Sequence, residues 1–153
     1  VHMTSYAPLL AKERHTQWNP DLIYFNNREV KPTTGYYVQK LYGQNAGNEY
    51  LPSKIVLDNK DDKVRKRFAS SIVRDSVSGD VIVKLVNLLP VEVNTNVDLS
   101  GIGAVQPSAK RTVLTGKPTD TPLPVEDRIQ IAEKFDCNLP AYSFTVIRIQ
   151  KAN

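Results

Sequence analysis

An imidazole, a primary amide and the chain's only indole lie within four positions, at His15, Gln17 and Trp18. An amide can donate to one ligand hydroxyl and accept from another, and an indole offers a flat face for stacking. Two interpretations of Gln17 and Trp18 stay open, a ligand-contacting pair or a loop glutamine beside a packing tryptophan. His15 has the chemistry of an acid or a base, but no paired carboxylate motif lies near it, which favours a surface histidine.

The acidic residues do not form a recognisable metal site. Glu29 is followed closely by a lysine and preceded by an arginine, which favours a solvated loop. Asp58, Asp61 and Asp62 are close together, but their spacing lacks the central glycine and terminal glutamate of a calcium-binding loop of the EF-hand type. We predict no metal site and no cofactor.

The charge pattern argues against nucleic acid and membrane partners. The net charge of +4 is mild, and the basic run at residues 60–67 is interrupted by two aspartates without interleaved aromatic residues. A solvated loop is the better interpretation of that run. The chain has no apolar run of 18 residues, so we predict no membrane span.

Cysteine usage and the N-terminus leave the compartment open. Cys137 is the only cysteine, which excludes an internal disulfide, and without a histidine or CxxC partner we interpret it as a packing residue. Residues 1–3 show no signal pattern and begin inside what the spacing predicts to be a helix, so we expect a piece of a longer protein. A bacterial periplasmic or secreted location is favoured over a cytoplasmic one.

The first part of the chain has the pattern of a parallel α/β fold. Met3, Ala7 and Leu10 recur at helical spacing, and the apolar run at residues 22–25 predicts a short strand buried on both faces. A second helix is predicted after Pro32, with a threonine hydroxyl as its N-cap. This helix would have one apolar face, formed at spacings of three and four by Tyr37, Val38, Leu41 and Tyr42.

From residue 49 onward the pattern changes to short extended segments separated by turn residues. We predict about seven or eight strands in a jelly-roll-like antiparallel β-sandwich, with a charged loop at 58–66. The predicted strands cover residues 55–57, 68–74, 80–88, 91–98, 110–115, 128–135 (a strand or a short helix) and 142–150. The predicted domain boundary lies at residue 48.

Five segments together are similar to one enzyme family. SYAPLLA at residues 5–11 and WNPDLIYF at 18–25 resemble the late barrel segment of the α-L-arabinofuranosidases of glycoside hydrolase family 51, and residues 32–42 resemble its last barrel helix. TVLTG at 112–116 and LPAYSFTVIR at 139–148 resemble its C-terminal β-domain. The segments occur in the family's order along nearly the whole chain.

The resemblance implies a (β/α)8 barrel followed by a jelly-roll sandwich. Residues 1–48 would be the terminal segment of the catalytic barrel, and residues 49–153 would be the C-terminal sandwich. The family removes terminal arabinofuranosyl units from arabinan- and arabinoxylan-type glycans with retention, which needs two carboxyl groups about 5 Å apart. The resemblance places both carboxylates upstream of this chain, so no residue here is predicted to be catalytic and the chain alone is predicted to be inactive.

The same resemblance indicates a role for Gln17, since a glutamine in this neighbourhood contacts the arabinose in family members. Trp18 would be a sugar-stacking wall beside it. Arg14 stands where the resemblance leads us to expect a glycine. The implied partners are the missing barrel, an arabinose-containing glycan and a further copy of the chain.

The sequence leaves two other function classes open. A carbohydrate-binding β-sandwich would need an exposed aromatic platform on one sheet, and residues 49–153 contain tyrosines and phenylalanines but no tryptophan. A basic nucleic-acid binder would rest on the charge alone, and it would be removed by the absence of a salt-sensitive DNA shift.

Overall fold

The computed structural model describes residues 5–117 and 120–152. Within them the chain forms eleven strands and two short helices. In chain order the elements are β1 (Leu10–Lys12), β2 (Ile23–Phe25), β3 (Val30–Pro32), α1 (Thr34–Gln44), β4 (Glu49–Leu51), α2 (Asp62–Arg65), β5 (Phe68–Arg74), β6 (Val81–Asn87), β7 (Val93–Asp98), β8 (Val105–Thr115), β9 (Val125–Gln130), β10 (Lys134–Leu139) and β11 (Ser143–Lys151).

The centre of the molecule is a six-stranded antiparallel sheet in the order β4-β5-β6-β11-β8-β9. The central strands β6 and β11 are apolar on both faces, as the sequence predicts for β6, because both faces of the sheet are covered. A two-stranded antiparallel sheet of β7 and β10 lies over one face. Helix α1 lies over the other face.

The main core fills the space between the two antiparallel sheets. From the large sheet it takes alternate residues such as Val83 and Ile147, and from the small sheet it takes Phe135 and Leu139. The period-2 alternation of each strand directs these side chains to one face. The small sheet therefore has one buried and one wet face, as the sequence predicts for β7.

A second core joins α1 to the opposite face of the large sheet. Leu41 is the buried residue of the helix, and it packs with Ile82, Leu114, Phe144 and Val146 of the sheet. Other residues of the predicted apolar face take part in the same core or stack on it, namely Tyr37, Val38 and Tyr42. The predicted helix and its buried face are confirmed.

The predicted first helix is wrong. Met3 lies outside the described residues, and Leu10 belongs to β1, which pairs in parallel with β2. The backbone of this segment is committed to strand pairing, since the amides of Leu22 and Ile23 donate to the carbonyls of Pro8 and Leu9 at 3.2 and 3.0 Å. Proline has no amide hydrogen for a helical bond.

The predicted buried strand is only partly correct. Leu22 is buried, but β2 begins at Ile23 and Phe25 is 37% exposed. The segment just after Glu29, for which the sequence favours a solvated loop, is β3, which pairs antiparallel with β2. A mixed three-stranded sheet, β1-β2-β3, therefore stands where the sequence predicts a helix followed by one buried strand.

The predicted cap of α1 is also wrong. Thr33 is the N-cap residue, but its side chain makes no capping hydrogen bond. Its hydroxyl donates instead to the carbonyl of Leu22 at 2.8 Å, beside the bond from its own amide to the same carbonyl. The two bonds of Thr33 therefore link the N-terminus of α1 to the three-stranded sheet.

Three further differences occur in the β-rich part. Residues 55–57 form no strand, because β4 lies earlier, pairs with β5 and ends before Pro52. The predicted charged loop contains α2, which Asp61 caps by accepting from the amide of Lys63 at 2.8 Å. The single element predicted at 128–135 is two strands, β9 and β10, separated at the buried Ile131.

Strands β5, β6 and β11 agree with the predicted segments to within one residue at each end.

The described helices include none that is long and apolar enough to cross a membrane.

Candidate functional site

Gln17 and Trp18 lie together in the wall of a concavity of about 680 Å³ at the N-terminal sheet. The wall is formed by β1 and the residues around it, with a proline and an alanine before the strand and the β1–β2 connection after it. Its residues are Ala7, Pro8, Leu10, Ala11, Lys12, His15, Thr16, Gln17 and Trp18. The structure thus brings three of the side chains singled out in the sequence into one wall.

Local hydrogen bonds shape the connection that carries these side chains. The Thr16 hydroxyl oxygen accepts from the amide of Trp18 at 3.1 Å, which makes a tight turn around Gln17. Further along, the Tyr24 hydroxyl accepts from the amide of Asp21 at 2.9 Å and donates to the Asn19 side chain at 3.2 Å. The end of the connection is therefore tied to β2.

A separate turn at the start of this connection contains Arg14, whose φ is 62°. This is the left-handed region, which glycine adopts without the steric cost that a Cβ brings. The value gives a physical reason for the glycine that the resemblance leads one to expect there. The Arg14 side chain is exposed, so it meets no close neighbours, but the local backbone strain of this φ remains.

Trp18 and Gln17 are both available to a ligand. The Trp18 side chain is 67% exposed, although an indole usually buries most of its surface. Gln17 is exposed too, and its amide has no hydrogen-bond partner among the described residues. An open indole face next to a free amide can stack against a ring and exchange hydrogen bonds with its hydroxyls.

The wall is basic. Lys12 and His15 contribute to it, and no acidic side chain does. Glu13, the acid between them in sequence, is engaged elsewhere: it accepts from Lys31 at 2.8 Å and from Asn26 at 2.7 Å. The hydrogen bond from Lys31 and then that from Asn26 hold the pKa of Glu13 below its usual range.

Glu13 and Glu29 are two carboxylates that share one partner, Lys31. Lys31 binds both, at 2.8 and 2.9 Å, and its hydrogen bonds lower the pKa of each glutamate, with Asn26 adding to the effect. A general acid of a glycosidase needs a raised pKa to keep its proton. This cluster is therefore unsuited to that role. Of its two acids, Glu29 lies on the exposed connection between β2 and β3, in keeping with the solvated loop that the sequence indicates.

A second concavity of about 590 Å³ lies between α1 and the large sheet. Its wall is mainly apolar and again contains no acidic side chain. Tyr42 stacks on Phe144 with ring centroids 4.8 Å apart and planes 10° apart, and the Lys84 ammonium lies 5.5 Å from the Tyr42 ring centre. Burial raises the pKa of Tyr42 and lowers the pKa of Lys84.

The other candidates have structural roles in the described residues. Asp61 caps α2, and no group of three or more histidine, cysteine or acidic side chains is gathered at one place in ranges 5–117 and 120–152. Cys137 is buried in the main core, and this burial raises the pKa of its thiol. It is a packing residue, as predicted.

Two residues near the first concavity escaped the sequence analysis. Lys12 belongs to the segment for which the sequence predicts a helix, whereas in β1 it alternates with Ala11 and contributes to the wall. Asp21 is completely buried, and neither carboxylate oxygen has a hydrogen-bond partner in the described part of the chain. It does not contribute to the wall, and no sequence signal separates it from an ordinary turn aspartate.

The family model of the α-L-arabinofuranosidase C-terminal domain matches residues 1–145. The chain belongs to this family. The match spans the three-stranded sheet, α1 and most of the large sheet, so the concavity with Gln17 and Trp18 lies inside the family's region.

Individual proteins similar to this α-L-arabinofuranosidase C-terminal domain are themselves named α-L-arabinofuranosidases. The chain is 27% identical to α-L-arabinofuranosidase 1 of Arabidopsis thaliana over 99% of its length and 24% of the relative's. It is 32% identical to a probable α-L-arabinofuranosidase A of Aspergillus terreus, over 96% of the chain and 23% of the relative.

A solved structure of an arabinose-bound family 51 α-L-arabinofuranosidase superposes with a TM-score of 0.83 at 29% identity. The superposition covers 97% of this chain and 24% of that one. The chain thus spans about a quarter of the length of the relatives it matches. The larger part of each relative has no counterpart in these residues.

Proposed function

We propose that this chain is the C-terminal part of a retaining α-L-arabinofuranosidase that releases terminal arabinofuranosyl units from arabinan- or arabinoxylan-type glycans. The observation that carries the proposal is the family match over residues 1–145. Because the chain spans about a quarter of its relatives, the remaining part of such an enzyme would hold the two catalytic carboxylates. The chain itself would be non-catalytic.

Within that enzyme, residues 1–48 would complete the catalytic barrel and residues 49–153 would form a jelly-roll sandwich packed on it. The parallel pairing of β1 with β2 supports the first assignment, since parallel strands are the rule in such barrels. The three-stranded sheet also leaves Leu10, Phe25 and Val30 exposed. The missing barrel would cover this apolar surface, and contacts between copies of the chain could add to it.

Gln17 and Trp18 would bind the sugar. Both side chains are exposed in one concavity, and Gln17 has no partner among the described residues. Saccharides are recognised by an aromatic face together with side chains that donate and accept hydrogen bonds. The bound unit would be the arabinose or the sugar next to it, with the carboxylates supplied from the barrel.

We expect the chain alone to show no hydrolysis of 4-nitrophenyl α-L-arabinofuranoside. Neither concavity has an acidic wall residue, and Lys31 holds Glu13 and Glu29 in their charged forms. The assay would follow nitrophenolate release at millimolar substrate, with a full-length family member as positive control. Turnover that Glu13→Gln or Glu29→Gln abolishes would place the carboxylates in this chain and contradict the proposal.

A carbohydrate-binding sandwich is the second candidate function, and one observation favours it. Tyr42 and Tyr142 are 41% and 37% exposed in the wall of the second concavity, which is an aromatic surface that the sequence alone did not indicate. Titration of the chain with arabinotriose, followed by amide NMR, separates the two proposals. Shifts at Gln17 and Trp18 support the first site, whereas shifts confined to Tyr42 and Tyr142 support the sandwich.

A further inference from the structure

Side-chain hydroxyls hold the backbone on both sides of Trp18. Before it, the Thr16 hydroxyl oxygen accepts from the Trp18 amide at 3.1 Å. After it, two tyrosine hydroxyls hold the segment at residues 19–21. The indole itself is 67% exposed. The bonds therefore fix the backbone that carries the indole and leave its ring open to a ligand.

Tyr24 holds this segment from the central strand of the N-terminal sheet. Its hydroxyl accepts from the amide of Asp21 at 2.9 Å and donates to the Asn19 side chain at 3.2 Å. The strand that carries Tyr24, β2, is paired with β1 along one edge and with β3 along the other. A strand paired on both edges is a rigid support, so the hydroxyl ties the connection to a fixed part of the fold.

Tyr6 holds the same segment from a second direction. Its hydroxyl donates to the carbonyl of Pro20 at 3.2 Å, and its ring lies beside Gly35 in the first turn of α1. Tyr6 precedes β1, whereas Tyr24 lies in β2. Two parts of the chain thus converge on three consecutive residues, and three hydrogen bonds fix the backbone that follows Trp18.

We propose that Tyr24, supported by Tyr6, is a positioning residue for the saccharide that Gln17 and Trp18 bind. This inference rests on the proposed function and names side chains that act through that site. With its backbone fixed, the indole keeps only two side-chain torsions, so a sugar ring meets a surface that is already nearly ordered. A loose backbone would have to be ordered on binding, and the entropy lost for each such residue weakens the affinity.

Tyr24→Phe tests the inference, because it removes both bonds of the hydroxyl and keeps the ring. We expect the backbone order parameters of Gln17 and Trp18, from amide NMR relaxation, to be about 0.85 in the wild-type chain and to fall toward about 0.6 in the variant. The dissociation constant for arabinotriose, from the same amide signals, should rise about fivefold, the ratio that corresponds to ordering the backbone of one residue. Tyr6→Phe removes one bond, so we expect smaller changes in the same direction.

Tyr50→Phe is the matched control. It makes the same chemical change at a tyrosine of β4 that is 65% exposed and lies outside the wall of the first concavity. The order parameters and the affinity for arabinotriose should stay at their wild-type values. Urea unfolding of each variant gives its free energy of unfolding, the one quantity that a purely structural hydroxyl of Tyr24 would change.

The outcomes separate this inference from the proposed function. A Tyr24→Phe chain that binds arabinotriose as tightly as the wild type would overturn the inference, whatever its stability, while the sugar site at Gln17 and Trp18 stands. Unchanged order parameters at Trp18 would overturn it as well, because the hydroxyl would then not fix the backbone. If arabinotriose shifts no amide signal of Gln17 or Trp18 in the wild-type chain, both the sugar site and the inference are overturned.

Discussion

Replacement of Asn87 by alanine is expected to lower the free energy of unfolding by about 3 kcal/mol, one of the two largest effects we predict. Asn87 ends β6 and is completely buried. Its side-chain nitrogen lies 2.9, 3.1 and 2.9 Å from the carbonyls of Val91, Leu139 and Pro140, which share its two hydrogens. Its side-chain oxygen accepts from the amide of Leu89 at 3.0 Å.

These bonds tie three parts of the chain at one end of the large sheet. They join β6 to the connection before β7 and to the connection between β10 and β11. Their removal leaves a buried amide and several carbonyls unpaired, and each unpaired buried group costs about 1–3 kcal/mol. Urea unfolding is the measurement, with an expected fall in the midpoint of about 1.5 M for an ordinary slope.

Asn87→Asp tests the cause, because aspartate has the same shape and removes only the donors. Its carboxylate would face three carbonyl oxygens, so we expect at least the loss seen with alanine. An Asn87→Asp variant as stable as the wild-type chain would contradict the assignment of the stability to the hydrogen bonds that Asn87 donates.

Thr145→Val is the matched control on the same face of the sheet. Thr145 is as buried as Asn87, but its hydroxyl has no partner among the described residues. Valine should therefore be neutral or slightly stabilising, because no hydrogen bond is lost and a buried polar group is removed. A loss as large as that of Asn87→Ala would show that the two sites do not differ in hydrogen bonding.

The contrast between β6 and β1 shows what the sequence could predict. β6 alternates over seven residues and is apolar on both faces, so its identity, extent and central position follow from local pattern. β1 has three residues, too few for a period to emerge, and it exists because it pairs with β2 across a ten-residue connection. Helical spacing of a few apolar residues predicted the wrong element there.

The candidate site could also be predicted only in part, because local sequence shows neighbouring residues but not contacts that depend on the fold. Gln17 and Trp18 are consecutive, so their proximity needs no fold, and their chemistry is visible in the residue types. Lys12 reaches the same wall only because β1 is extended. The second concavity depends on α1 lying over β11, which brings Tyr42 to Phe144 across about a hundred residues of sequence. No local pattern contains that contact.

The packing of α1 leads to the second large effect: Phe144→Ala is expected to cost about 3–5 kcal/mol and to loosen α1 selectively. Phe144 is 5% exposed on the helix side of β11, it stacks on Tyr42, and it shares the second core with Leu41. Truncation removes the surface on which the helix rests, while the main core between the two antiparallel sheets keeps all its residues.

The selectivity distinguishes loss of a helix contact from general destabilisation. In the wild-type chain the amides of α1 should exchange with solvent about as slowly as those of β6, because both lie against the same buried layer. In Phe144→Ala we expect the α1 amides to exchange faster relative to those of β6. Phe25→Ala is the control: that phenylalanine is 37% exposed on β2, so its truncation should cost less than about 1 kcal/mol. Unchanged exchange of α1 in Phe144→Ala would mean that the helix is held by its entrance at Thr33, where two bonds reach Leu22, rather than by its apolar face.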